Sequence, residues 1–144
     1  MRIAKIKETG QRPFTVLHVE DDQDLSASVA TLLRVEGLEP ITATDGASAL
    51  ARLAHAQAPP DVLLMDFDLH GDMDGTEVAE EVCHAIGHVV PTIFLSGELA
   101  NAGVPWLPGA PLLFIAKPVD PDVLMKAVRS FAALGRFLTS RAPH

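Results

Sequence analysis

The sequence predicts an α/β domain built on a parallel sheet covered by helices on both faces. Short apolar runs alternate with segments whose apolar residues recur at helical spacing. The runs at Val62–Met65 and Leu112–Ala116 are continuously apolar, as strands buried on both faces must be. Four strand-like runs also finish in polar residues, namely Glu20-Asp21-Asp22, Asp66, Ser96 and Lys117. In an open parallel sheet, ligands sit beyond the carboxyl ends of the strands, so these four groups fall where a shared site belongs.

The elements follow in order. Met1 to Pro13 carries Arg2, Lys5, Lys7 and Arg12 among few large apolar groups and reads as a basic, loosely ordered lead-in. Phe14 to Val19 is the first strand, closed by the acidic triplet. Leu25, Val29, Leu32 and Leu33 then recur at helical spacing, with Asp24 or a neighbouring Asp as cap and Gly37 as terminator. Leu38 to Thr44 is a weaker strand, and Pro40, which lacks a ladder donor, assigns it to a sheet edge. Asp45-Gly46 turns into a helix carrying Leu50 and Leu53. Asp61 to Met65 leads straight into Asp66, and the polar loop Asp66 to Gly75 precedes a helix with Val78, Val82 and Ile86 that runs to Gly87. Val89 to Leu95 is a strand ending at Ser96, and Leu112 to Ala116 is the last, ending at Lys117-Pro118. The final helix is capped by Asp120, opens with Pro121 and presents Val123, Leu124, Ala127, Val128 and Phe131. Glu98 to Pro111 should hold a further helix, but Pro105, Pro108 and Pro111, with Gly103 and Gly109, leave it broken at about 3 kcal/mol per interior proline.

At 144 residues the chain has the size of one domain, and 48% hydrophobic with 21% charged residues is the balance of a folded protein. Its single cysteine, Cys83, forms no internal disulfide, and no apolar run reaches the roughly 20 residues that span a bilayer. With no cleavable leader in view, the cytoplasm is the expected location and no membrane partner is expected. A net charge of −8 argues against direct nucleic-acid binding. Protein partners, or small anions brought in with a cation, fit better.

The four strand-end groups suit a metal and phosphoryl site. Clustered carboxylates repel one another unless a cation is present, and Mg²⁺ prefers a few carboxylate oxygens, a carbonyl and retained waters. The Lys117 ammonium can pair with Asp66 and then with a phosphoryl oxygen, while the Ser96 hydroxyl can donate to another. Asp66 is then the nucleophile, forming an acyl phosphate. Within the triplet, counting back from Leu32, Leu33 and Gly37 favours Glu20 and Asp21 as the functional pair with Asp22 leading the helix; Asp21 with Asp22 is the alternative.

The segments VLHVEDD, VLLMD, MDG, TIFLSG and FIAKP together resemble the receiver domain of two-component response regulators, from Phe14 to about Leu134. The resemblance implies a flavodoxin-like, doubly wound five-stranded sheet of order 2-1-3-4-5. It makes Asp66 the phosphoacceptor, and Glu20, Asp21, Asp66 and the main-chain carbonyl of Asp68 the Mg²⁺ ligands. Ser96 becomes the switch hydroxyl, Lys117 the site lysine and Phe114 the switch aromatic. It further implies a phosphoryl donor that is a histidine kinase or histidine phosphotransfer protein, with output through protein contacts or a homodimer. The chain's chemistry would then be its own phosphorylation and dephosphorylation rather than that of an enzyme. Because only 135–144 follow as a short tail, a single-domain regulator is expected.

Three readings compete. Asp66-Phe-Asp68 resembles the first motif of haloacid dehalogenase-type phosphatases, although that motif normally lies on the opening strand. Asp66, Asp68, His70, Gly71, Asp72, Asp74 and Glu77 fit much of an EF-hand calcium loop, although a strand-like run precedes them. The proline-broken segment motivates a receiver-like interaction module that does not switch. His18 is expected to be a hydrogen-bonded core residue. Cys83 is expected to be packing, and Trp106 an anchor for the proline-rich loop or a partner.

Overall fold

The computed structural model describes residues 12–97 and 109–141. Five strands, β1 (Thr15–Val19), β2 (Glu39–Ala43), β3 (Val62–Asp66), β4 (Thr92–Ser96) and β5 (Leu112–Ala116), form one parallel sheet of order β2-β1-β3-β4-β5. The four helices are α1 (Gln23–Val35), α2 (Gly46–Ala54), α3 (Gly75–Ile86) and α4 (Pro121–Arg141). This is the flavodoxin-like, doubly wound architecture. The strand order reverses between β1 and β3, so the loops after those two strands diverge and leave a crevice at the carboxyl edge. No helix among the described residues is long and apolar enough to cross a membrane.

Each sheet face buries its own core. Val16, Val62, Leu64, Ile93 and Leu95 point towards Val29 and Leu33 of α1 and Leu124, Met125 and Val128 of α4. Leu17, Val19, Leu63, Met65 and Phe94 point towards Ala49 of α2 and Val78, Ala79 and Val82 of α3. Alternation along each strand supplies both faces, so every position of β3 and β4 is buried. Pro40 lies on the edge strand β2, where a missing donor costs least.

Local chemistry sets the helix starts. The Asp22 carboxylate accepts from the Asp24 and Leu25 N–H groups to cap α1. Asp45 with Ser48, and Asp74 with Glu77, close reciprocal capping boxes at α2 and α3. Gly75 has a steric reason as well: a Cβ there would lie 2.5 Å from the Asp66 carbonyl oxygen, so only glycine lets α3 start against the end of β3.

Several boundaries differ from the sequence reading. β4 begins at Thr92 rather than Val89; Pro91 has no N–H to add to a ladder, and its carbonyl accepts from Leu63 instead. The final helix continues to Arg141, through most of the segment read as a tail from Gly135. The lead-in is tied down at its end, because Arg136 donates to the Arg12 and Pro13 carbonyls as well as to the Asp61 carboxylate. The expected helix over Glu98 to Pro111, and Trp106 with it, falls largely outside the described residues. The Lys117–Pro118 peptide is cis.

At the amino edge of the sheet α4 presses directly on backbone. A Cβ at Gly135 would lie 1.8 Å from the Asp61 carbonyl oxygen and 3.2 Å from Pro91 Cδ. Gly135→Ala should therefore lower the urea-unfolding free energy by about 1–3 kcal/mol, the usual range for overpacking. Gly71→Ala, where the added Cβ meets nothing within 4 Å, should stay within about 0.5 kcal/mol of the parent.

Candidate functional site

The carboxyl edge gathers the acids that the sequence singles out. Glu20 follows β1 directly and is 1% exposed, Asp66 closes β3 at 2% exposed, and Asp21 is half-buried between them. One carboxylate oxygen from each of Glu20, Asp21 and Asp66 lies within 4.8 Å of the others, a spacing that suits one cation. Asp22 is spent on the α1 cap, so Glu20 and Asp21 are the pair of the triplet that the fold turns to the site. Three hard oxygen donors fit Mg²⁺ better than a thiolate-seeking or imidazole-seeking ion.

Lys117, carried just past β5, reaches across the sheet edge. Its Nζ donates to Asp66 Oδ1 at 3.2 Å and to Glu20 Oε1 at 3.5 Å. Burial works against the ammonium, but Asp66 and Glu20 outweigh it and raise the Lys117 pKa. The Asp68 N–H also donates to Asp66 Oδ1, at 2.9 Å. The Asp66 carboxylate is thus gripped through one oxygen by two donors. Asp68 meets Asp66 through its main-chain N–H.

Ser96 ends β4 fully buried, next to the end of β3. Its Oγ donates to Asp68 Oδ2 at 3.4 Å, and the neighbouring Gly97 N–H donates to the same oxygen at 3.2 Å. Phe114 packs in an aromatic trio: its ring stacks on Phe94 at 5.2 Å and meets the edge of Phe67 at 5.5 Å. The trio joins β4 and β5 to Phe67, the residue that follows Asp66.

The surroundings of two histidines are not foreseen by the sequence. His70 approaches Asp21 with both its main-chain N–H, at 3.3 Å, and its ring Nδ1, at 2.9 Å, and this bond holds the Asp21 carboxyl below the usual range. His18 corrects the expectation of a hydrogen-bonded core residue: it is fully buried, and neither ring nitrogen has a hydrogen-bond partner among the described residues. Its β1 position sits between Leu64 and Thr42 of the neighbouring strands, where the ladder consumes the backbone polar groups. The EF-hand alternative also fails on geometry, since β3 occupies the place of the entering helix and Glu77 closes the α3 capping box.

Burial drives Glu20 and His18 in opposite senses. It pushes Glu20 up to about 7, with the neighbouring Asp66 adding to the rise, and pulls His18 down to about 4. Glu20 binds its proton more tightly folded than unfolded, so its contribution to stability is present below its unfolded value of 4.5 and is lost as pH rises to about 7. His18 resists protonation, so its contribution is present above 6.5 and is lost as pH falls towards 4. Between those limits the slopes oppose each other. In chelator-treated protein, His18→Leu should make the urea midpoint fall more steeply as pH rises from 4.5 to 6.5, and Glu20→Gln should make it rise with pH; parallel curves for all three proteins would refute the assignment.

Comparison with known proteins bears on the chain as a whole. A family model for the response regulator receiver domain matches residues 16–129. The sensory transduction protein RegX3 of Mycobacterium tuberculosis is 44% identical over 68 residues, which is 47% of this chain and 29% of that protein. The transcriptional regulatory protein PrrA of Mycobacterium leprae is 36% identical over 91 residues, 63% of this chain and 37% of that protein. The match thus spans little more than a third of these curated relatives at most. Among solved structures, NtrX from Brucella abortus superposes with a TM-score of 0.74 at 27% identity, over 89% of this chain and 28% of that one. The Vibrio cholerae chemotaxis protein CheY4 superposes with a TM-score of 0.67 at 26% identity, over 83% of this chain and 98% of that one. With the model matching well over half of its length, the chain belongs to the response regulator receiver domain family.

Proposed function

We propose that Asp66 accepts a phosphoryl group from a phosphohistidine on a histidine kinase or histidine phosphotransfer protein, and that the resulting acyl phosphate changes which proteins this chain binds. The observation that carries this reading is the pairing of Asp66 with Lys117 at 3.2 Å inside a carboxylate cluster of cation size. Glu20, Asp21, Asp66 and the Asp68 carbonyl would hold Mg²⁺, which when bound supplies positive charge against the phosphoryl oxygens.

The remaining work falls to the chain. Lys117 and the Asp68 N–H hold Asp66 Oδ1, which leaves Oδ2 to attack phosphorus as the phosphorus–nitrogen bond of the donor breaks. The electron pair of that bond leaves with the imidazole, which takes up a proton. The Lys117 ammonium then follows the new negative charge onto a phosphoryl oxygen, and the Ser96 hydroxyl donates to another. Movement of Ser96 reaches the aromatic trio through β4, so Phe114 is the side chain placed to carry the change to the surface around β5. Water attacking the same phosphorus returns Asp66 to its carboxylate, so the chemistry is confined to this chain's own residue.

Incubation with Mg²⁺ and acetyl phosphate, followed by intact-mass measurement, tests the reading. The parent should gain one phosphoryl group, Asp66→Asn none, and Lys117→Ala should react on the order of a hundredfold more slowly. A gain that persists in Asp66→Asn, or no gain in the parent, would overturn it.

A further inference from the structure

Resting on that reading, we propose that the Asp68 side chain is a positioning residue that latches the Ser96 hydroxyl and the Gly97 amide in the unphosphorylated arrangement, and so sets how readily Asp66 is charged. Asp68 bridges the two strand ends where the proposed chemistry takes place. Its N–H holds Asp66 Oδ1 at 2.9 Å, while its Oδ2 receives the Gly97 N–H at 3.2 Å and the Ser96 Oγ at 3.4 Å. β3 and β4 are adjacent and in register, with Asp66 opposite Leu95, so the carboxylate crosses from one strand end to the next without distorting the sheet.

A hydroxyl has one proton to donate. When Ser96 turns to a phosphoryl oxygen on Asp66, Asp68 Oδ2 gives up that donor and finds itself beside a phosphoryl group of its own sign. The hydroxyl bond is long for an O–H···O contact, so the latch is held chiefly by charge and by the Gly97 amide, and it can open without a large barrier. Asp68 is exposed, which keeps the repulsion modest and lets water receive the released carboxylate. Asparagine at this position keeps an oxygen acceptor and removes the charge, whereas alanine removes both, so the two substitutions separate repulsion from latching.

The experiment follows phosphorylation by acetyl phosphate with Mg²⁺ over time by intact mass, in the parent, Asp68→Asn, Asp68→Ala, Ser96→Ala and the Asp68→Ala/Ser96→Ala double variant. The Gly97 amide is observed in parallel by ¹H–¹⁵N correlation. Asp68→Ala should be charged about fivefold faster than the parent and Asp68→Asn by an intermediate factor, and the gain should be distinctly smaller in the Ser96→Ala background, where the hydroxyl's share of the latch is already gone and only the repulsion is left to relieve. The Gly97 amide should move upfield in Asp68→Ala as it loses a charged acceptor, before any phosphodonor is added. Unchanged rates, an unmoved Gly97 amide, or a full fivefold gain in the absence of the Ser96 hydroxyl would overturn the latch. No mass gain in any of the proteins would instead overturn the phosphoacceptor reading, and the latch with it.

Discussion

The confinement of three carboxylates and one ammonium at the carboxyl edge of the sheet is the constraint on which the site depends. Two like charges about 4 Å apart repel by about 4 kcal/mol at an effective dielectric constant near 20. Lys117 offsets part of that repulsion through Asp66 and Glu20, and His70 offsets part of it at Asp21. In the cation-free state burial lifts the Glu20 pKa to about 7, with Asp66 adding to the rise, so Glu20 takes up a proton more readily than a free carboxylate. A divalent cation could replace that proton. The same deficit, burial together with crowded acids, accounts for the displaced pKa of Glu20 and for the suitability of the cluster for a cation.

The fold creates this deficit by removing alternatives. Strand ends at a topological reversal bring residues far apart in sequence to one crevice, and the buried faces of β1 and β3 keep Glu20 and Asp66 out of water. Gly75 lets α3 start against the Asp66 carbonyl, and its capping box fixes that start, so the loop carrying Asp68 and His70 is anchored at both ends. At the opposite edge, Arg136 binds Asp61 and the Arg12 and Pro13 carbonyls, holding α4, the entry to β1 and the entry to β3 together. This clamp lies away from the acids and serves stability.

Much of this was legible in the sequence because its signals are local. Pro40 placed β2 at an edge, the apolar runs named the strands, and the polar residues after four of the runs named the candidates that the carboxyl edge gathers. The register of the acidic triplet was legible from helix periodicity, and the Asp22 cap agrees with it. Contacts between side chains from different loops were not legible. Nothing in the order of residues says that the His70 ring meets Asp21, or that the Asp68 carboxylate turns to Ser96 and Gly97, because both depend on where separate loops cross. His18 was misjudged because a polar residue in a buried strand normally finds a partner, and here both neighbouring positions belong to a satisfied ladder. The length of α4 was underestimated because Gly135 reads as a helix end, whereas it is there to admit the Asp61 backbone.

The central claim is that the acidic edge is a cation site completed by Asp21, and Mg²⁺-linked stability tests it most directly. A cation bound only by the folded chain adds about 2.7 kcal/mol when present at a hundred times its dissociation constant. The urea-unfolding free energy of the unphosphorylated parent should rise with Mg²⁺ and then level off to a logarithmic increase, while that of Asp21→Asn should hardly respond over the same range. No Mg²⁺ dependence in the parent, or the same dependence in Asp21→Asn, would contradict the account.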